Sequence, residues 1–333
     1  MSSIDALDAP EPGRAPADRG TTPPAIAIVG PTASGKTTLA IEVAGALDGE
    51  IISMDSRQAY RGFRVGTAAP DDEELARAPH HGVSFLSPEE RYGAGRFARL
   101  AHEWMAGIRS RGRVPILAGG TGLFLRALTH PVFREPDIDE TRRAALEAWA
   151  HGRSDDEVAR WAARLDPRLE ERLGTVDRQR AGRTLELALL AGRPLSWWIE
   201  HGTPERPPLE PLVAVVEMPG ETLRARIRRR VERMLGSGAW EEEVEGLRAR
   251  GLEGSQAFEA LGYRDVAALV RGETTREGVL EEVVSRTWAY ARRQRTWFRH
   301  QVPGNTIRLD GSMATDQLAP RVIDAWRRAA ETR

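Results

Sequence analysis

The chain has 333 residues, is 41% hydrophobic and carries a formal charge of -1 at pH 7, enough apolar material for one large domain with an insertion or for two domains. It contains no cysteine, which excludes disulfides, zinc–thiolate sites and thiol nucleophiles, and it has no apolar run long enough to span a bilayer. The near-neutral total rules out a polycation but not a basic groove, because the positive charge is clustered, and of 48 lysines and arginines Lys36 is the only lysine.

Residues 1–24 are rich in Ala, Pro, Asp and Gly and lack the apolar core of a signal peptide, so they read as a disordered tail on a cytoplasmic protein. The apolar run 25–29 ends at Gly30, and a helical pattern follows from Lys36 to Leu47. Between them stands Gly30-Pro31-Thr32-Ala33-Ser34-Gly35-Lys36-Thr37, the G-x-x-x-x-G-K-[ST] phosphate-binding loop in its required strand–loop–helix setting. Backbone N–H groups and the helix N-terminus form a nest for phosphate oxygens. Lys36 neutralises the distal phosphate, and the Thr37 hydroxyl is a candidate Mg²⁺ ligand. A compact ammonium on a flexible stem suits a phosphate under a tight loop, where a planar guanidinium does not fit. The motif specifies a diphosphate or polyphosphate, but neither ATP nor a kinase.

A second predicted strand, 50–54, leads into Asp55-Ser56-Arg57-Gln58-Ala59-Tyr60. There Asp55 is either a base or metal ligand facing the phosphate loop or a helix N-cap. His80-His81 lacks metal-ligand spacing, and its two side chains point to opposite sides of an extended segment, so it reads as hydrogen-bonded turn histidines. The run 114–118 ends in Gly119-Gly120-Thr121-Gly122, where glycine either admits a ligand close to the backbone or simply turns a strand into a helix. Runs 212–216 and 306–309 complete the predicted strands. Short apolar runs alternating with helices indicate an α/β fold, a phosphate-loop NTPase-like parallel sheet flanked by helices, with ligands beyond the carboxyl ends of the strands.

Strand-like runs vanish from 135 to 208, and helical periodicity dominates 141–150, 154–165 and 177–191. The chain therefore divides into a core (25–134 and 209–333) and an all-helical insertion (135–208). Within the insertion, Gln179, Arg180 and Arg183 share one helix face and suit nucleic-acid contacts, although a surface salt-bridge network has the same composition. Arg292-Arg293-Gln294-Arg295-Thr296-Trp297-Phe298-Arg299 mixes basic and aromatic groups. It either grips phosphate while stacking a base or is a helix with aromatics inward and arginines wet.

Together with Gly66-Thr67-Ala68-Ala69-Pro70, Pro79-His80-His81 and Ala260-Leu261-Gly262-Tyr263-Arg264, these ordered segments resemble the bacterial tRNA dimethylallyltransferase family from about residue 25 to 299. The resemblance implies transfer of a dimethylallyl group from dimethylallyl diphosphate to N6 of the adenosine 3′ of the anticodon. The phosphate loop, Gly30 to Thr37, then holds the leaving diphosphate with Mg²⁺. Asp55 matches the family's base, and Thr121 a position beside the adenosine. Arg226 and Arg230 match post-strand arginines that clamp diphosphate. By the same resemblance Asp55, Ser56, Arg57, Gln58, Thr121, Arg143 and the segment Gln179-Arg180-Ala181-Gly182-Arg183 touch the anticodon stem-loop. The protein is expected to be a monomer that does not engage membranes.

Three departures stand out: Ala69 replaces the family's lysine, Gly82-Val83-Ser84 loses an acid, and Phe124 loses a hydroxyl. None touches the phosphate loop or Asp55. The rival readings are an adenylate isopentenyltransferase acting on AMP, ADP or ATP, a small-molecule kinase on the same loop, and a non-catalytic RNA-binding protein.

Overall fold

A computed structural model describes residues 25–130, 133–134, 136–173, 176–204, 206–302 and 306–331; the expected disordered tail, 1–24, lies outside them. The elements run β1 (Ile26–Val29), α1 (Lys36–Leu47), β2 (Gly49–Ser53), α2 (Asp72–Arg77), β3 (His80–His81), α3 (Ala94–Ser110), β4 (Val114–Gly119) and α4 (Gly122–Thr129). Five helices follow: α5 (Glu140–His151), α6 (Asp155–Leu165), α7 (Leu169–Leu173), α8 (Arg178–Leu190) and α9 (Leu195–His201). The chain then continues through β5 (Leu212–Glu217), α10 (Gly220–Gly236), α11 (Ala239–Ala249), α12 (Tyr263–Val270), α13 (Arg276–His300), β6 (Ile307–Asp310) and α14 (Thr315–Glu331).

The strands form a six-stranded sheet in the order β3-β2-β4-β1-β5-β6, with every pairing parallel. β1 is fully buried because helices cover both faces, which is why it reads as an unbroken apolar run. Ile26 and Ile28 face α1 and α14, in a cluster with Leu39, Val43, Leu318 and Val322. Ala27 and Val29 face the opposite way, into the larger core built with Phe97, Phe124, Ile227, Trp240, Tyr263 and Phe298. The connections from β1 leave in opposite directions to β2 and, from β4, to β5, so the carboxyl end of β1 is the switch point at which such sheets bind ligands.

His80 and His81 are not turn residues, as expected, but a short edge strand in register with Ile51 and Ile52. The hydrogen bonding expected of them is present: His80 Nδ1 pairs with the Ala78 carbonyl at 2.8 Å and His81 Nε2 with Glu50 at 2.7 Å. α7 and α9 escaped the periodicity reading, each being under eight residues. The insertion helices own a separate cluster around Val158, Ala162, Ala181, Leu185 and Leu187. Its entry and exit strands touch where Phe133 bridges Pro204 and Arg134 N–H donates to the Thr203 carbonyl at 2.9 Å. Among the described residues no helix is long and apolar enough to cross a membrane.

At the amino end of β2, away from the ligand edge, Glu50 is buried with Arg111, Arg113 and His81 around its carboxylate. The Arg111 hydrogen bonds dominate and hold its pKa down to about 2 against an ordinary 4.5. A carboxylate depressed by folding stabilises the protein above its unfolded pKa, and that contribution drains away as pH falls from about 4.5 toward 2. The Glu50→Gln variant is therefore expected to lose on the order of 2–3 kcal/mol at neutral pH. Urea titrations at stepped pH should also show a flatter acid limb than the parent; an unchanged limb would mean that Glu50 does not set it.

Candidate active site

Three strand ends converge at the carboxyl edge of the sheet. Parallel register sets Val29 level with Gly119 and Val215, and Ser53 level with Ala118. The phosphate loop, Asp55 and Thr121 thus leave adjacent strands at one level. The approach is closer than side chains tolerate. A Cβ on Gly30 would lie 2.6 Å from the Val216 carbonyl oxygen, and one on Gly119 would lie 2.3 Å from that of Met54.

Within the loop, Ala33 (φ 62) and Gly35 (φ 91, ψ 9) are left-handed. Glycine tolerates that conformation freely, but alanine carries strain there, a known habit of ligand-binding turns. α1 begins at Lys36 with no side-chain cap, so its first amides have no side-chain partner and favour an anion. Ser34 is buried with its hydroxyl unpaired, a group that wants a partner. Lys36 is half-buried as a residue, but its ammonium sits at depth and donates to the Pro31 carbonyl at 3.2 Å. Burial pulls its pKa down to about 8, with the Asp55 charge opposing and Arg230 assisting.

Arg230 donates to Thr32 Oγ1 and to the Thr67 carbonyl, each at 3.3 Å, and burial lowers its pKa. Nη1 of Arg226 comes within 3.8 Å of where a side chain on Gly35 would begin. α10 therefore delivers both arginines, one turn apart, to the loop.

Asp55 Oδ1 accepts from the amides of Arg57 at 2.8 Å and Gln58 at 3.3 Å. It caps the turn after β2, where no helix follows to make it the expected helix N-cap, and it also presents charge to Lys36 and Arg230. Gln58 does not reach outward: its amide donates to the Thr67 and Ala68 carbonyls at 3.3 and 3.0 Å. Arg57 donates to the Gln256 carbonyl at 2.7 Å, and Ser56 is half-buried beside it. The Gly66–Ala68 bend is anchored by Glu243, which accepts from the amides of Arg64 and Val65 at 2.7 and 2.8 Å and from the Tyr263 hydroxyl at 2.6 Å.

The residue that joins the two sides of the crevice is Gln294 of α13. It is buried; its Oε1 accepts from Thr32 N–H and its Nε2 donates to the Gly120 carbonyl, both at 2.8 Å. Tyr290, one turn earlier, hydrogen-bonds Thr121 and Gln294, and burial beside the Asp55 charge pushes its phenol up to about 12. A Cβ on Gly120 would meet Gln294 Nε2 at 2.3 Å, and one on Gly122 the Trp297 ring at 2.4 Å. These glycines therefore admit α13 itself to the turn. Trp297 and Phe298 point inward, the aromatics-in reading of that segment. Neither Tyr290 nor the bridging use of Gln294 was expected; their i, i+4 spacing opposite two glycines was the available signal.

The insertion contributes a second feature. Gln179 and Arg180 are exposed on α8 and Arg183 and Gly182 are half-buried, with the Arg180 amide capped by Asp177. Ala181, expected among the RNA contacts, is instead fully buried in the helical core, because it turns away from that face. Arg143 ion-pairs with Glu140 and Glu186, and Arg183 shares Glu186 at 2.7 Å. Arg143 nevertheless lines a cleft of about 1160 Å³ with Arg99 of α3, Arg134 and Arg206, opposite Asp137 and Glu140. The sequence reading had singled out only Arg143 of these four arginines. Among the described residues no group of three or more His, Asp or Glu side chains is arranged to hold a metal.

Residues 58–301 match the model of the family described as IPP transferase, and residues 24–80 that described as isopentenyl transferase. A tRNA dimethylallyltransferase of Myxococcus xanthus is 42% identical over 83% of this chain and 89% of its own, and one of Desulfovibrio desulfuricans is 38% identical over 83% and 85%. The crystal structure of a tRNA delta(2)-isopentenylpyrophosphate transferase from Staphylococcus epidermidis, 32% identical, superposes with a TM-score of 0.64 over 91% of this chain and 98% of that one. A eukaryotic dimethylallyltransferase acting on tRNA, 23% identical, superposes with a TM-score of 0.71 over 86% and 73%, a likeness of fold alone.

Replacing Gln294 by Leu strands the Thr32 amide and the Gly120 carbonyl, at about 1–3 kcal/mol each. The expected loss is about 2–4 kcal/mol, read as a lower urea midpoint at unchanged slope. A loss within error of zero would show that the loop and the turn hold each other without it.

Proposed function

The chain belongs to the IPP transferase family, and on that premise we propose that it transfers a dimethylallyl group from dimethylallyl diphosphate to N6 of the adenosine 3′ of the tRNA anticodon, releasing diphosphate. We read it as a monomer working in the cytoplasm. The observation that carries this reading is the meeting of an uncapped phosphate loop with a carboxylate and a threonine on adjacent strand ends. A kinase needs the loop to hold a transferred phosphate; here it holds the group that departs.

Gly30, Pro31, Thr32, Ala33, Ser34, Gly35, Lys36 and Thr37 cradle the diphosphate, with Arg226 and Arg230 closing over it. The adenine amine attacks C1 of the allyl group, the C1–O bond breaks, and its electron pair leaves with the diphosphate. The Asp55 carboxylate takes the N6 proton. That helps because the amine's lone pair is delocalised into the purine ring, and a positioned base is worth roughly 10²–10⁴-fold. The loop amides, Lys36 and the arginines are preorganised where charge grows on the leaving group. Thr121 and Tyr290 border the place left for the purine.

Mg²⁺ fits this donor set: the Thr37 hydroxyl, next to a Lys36 that feels the Asp55 charge, would hold it without an all-protein cage, the usual pattern where phosphates supply the remaining ligands. When bound, the ion adds positive charge against the diphosphate oxygens. On the RNA side, the arginine-lined cleft and the exposed face bearing Gln179, Arg180 and Arg183 suit an anticodon stem-loop whose adenosine is unstacked into the crevice. Free AMP needs no such cleft, and the named relatives act on tRNA over the same length of chain, so the adenylate transferase and the kinase are the weaker readings.

Purified protein with dimethylallyl diphosphate, Mg²⁺ and either tRNA or AMP is expected to prenylate only the tRNA, detected by mass spectrometry of the digested product. Modified AMP with untouched tRNA would overturn the reading. Asp55→Ala is expected to lower turnover about 10²–10⁴-fold while tRNA affinity stays within a few-fold.

A second expectation comes from Lys36. Its ammonium is present below about pH 8 and is lost as pH rises through that value. For the free enzyme, kcat/KM for the prenyl diphosphate should therefore fall above about pH 8, and Lys36→Met should be slow with no such limb. A limb surviving in Lys36→Met belongs to another group.

A further inference from the structure

Behind the phosphate loop, on the side away from Asp55, a cavity of about 680 Å³ opens at the carboxyl ends of β5 and β6. Pro31 of the loop forms part of its wall, and four arginines from three elements line it: Arg295 and Arg299 of α13, Arg308 of β6 and Arg321 of α14. Two carboxylates face the same space. Glu217 is ion-paired to Arg308, and Asp310 accepts from the amide and hydroxyl of Ser312 at 2.9 and 2.6 Å.

Among the described residues, Arg295, Arg299 and Arg321 make no hydrogen bond or ion pair. Elsewhere on the surface Arg64, Arg77, Arg228, Arg271 and Arg286 each hold a carboxylate; these three do not. Like charges brought together without a counterion repel. A fourth source of positive potential adds to them. α10 starts at Gly220 with no side-chain cap, and a Cβ on Gly220 would lie 3.1 Å from Nη1 of Arg295. The arginine therefore sits over a helix N-terminus, an arrangement that the macrodipole disfavours. Guanidinium forks and helix amides both bind phosphate oxygens, and a cavity of this size takes a molecule as large as a nucleotide.

We propose that this cavity is a second polyphosphate site, separate from the phosphate loop and sharing only Pro31 with it. It takes phosphate groups either from a free anion such as diphosphate or from an RNA backbone. The inference does not rest on the prenyl-transfer reading, because its test is binding.

Inorganic diphosphate titrated calorimetrically into the full chain is expected to occupy two sites. Lys36→Met should leave only the second, and in that background Arg295→Ala with Arg321→Ala should weaken the remaining site about tenfold or more. Thermal melts without ligand should not fall, because both side chains lack partners to lose and their removal relieves like-charge repulsion. An anticodon stem-loop added to the Lys36→Met protein separates the sources: displacement of diphosphate assigns the pocket to RNA phosphate, and co-occupancy assigns it to the free anion. A single site in the parent, or a second site indifferent to the two arginine changes, would overturn the proposal.

Discussion

Everything at the active edge depends on how near three backbones come to one another. A Cβ on Gly119 would sit 2.3 Å from the Met54 carbonyl oxygen, and one on Gly120 would sit 3.2 Å from that of Gly30. At that spacing strand ends β1, β2 and β4 act as one unit, so the phosphate loop, Asp55 and Thr121 cannot move independently. Gln294 then secures the loop to the turn by two hydrogen bonds across a gap of more than 170 residues in sequence. Catalytic groups held within a few tenths of an ångström need such a supporting shell.

The same edge concentrates positive charge at a cost. Lys36, Arg226 and Arg230 stand together around an anion nest, with burial lowering the pKa of both Lys36 and Arg230. Asp55 is the carboxylate that offsets them, and its own Oδ1 is tied to two amides. The free protein thus carries crowded positive charge at the place proposed for the diphosphate. A bound diphosphate would relieve that repulsion, so part of its binding free energy would be stored in the fold beforehand. An amine in place of guanidinium at position 36 adds to this: a lysine ammonium shifts its pKa on burial more readily than arginine does.

Fold class was legible because parallel strands buried on both faces are nearly continuous apolar runs, as β1, β4 and β5 are; β2 shows only a short apolar centre, and the edge strand β6 alternates apolar and charged residues. The phosphate loop was legible because its backbone conformation demands particular residues at particular steps. β3 was hidden, since two histidines on an edge carry no apolar signature. α7 and α9 were hidden by their brevity, which gives 3.6-residue periodicity no room to show. Residue contacts of long range were hidden for a different reason. Gln294 and Glu243 satisfy backbone groups far away in sequence, and nothing local marks a side chain that will bond a distant backbone group. Ala181 shows the converse: a contiguous motif invites one role for all its members, yet a helix turns every residue about 100° from the last, and one of the five must face the core.

The arrangement also explains why a loop associated with phosphoryl transfer serves an alkyl transfer equally well. In both reactions the loop stabilises negative charge on bridging and terminal phosphate oxygens; what differs is which bond at the bridging oxygen breaks. Cleavage on the phosphorus side needs a nucleophile aimed at phosphorus, whereas cleavage on the carbon side needs one beyond the allyl C1, at the far side of the crevice. Asp55 and Thr121 stand on the two strands flanking that space, one strand over from the loop and one after it. On the proposed roles of Asp55 and Thr121, the choice of chemistry lies in where β2 and β4 end, not in the loop itself. The helical insertion follows from the same constraint: a nucleophile that belongs to a folded RNA has to be carried into the crevice, and the entry and exit strands tied at Phe133 and Pro204 hold the insertion next to the cleft through which it would arrive.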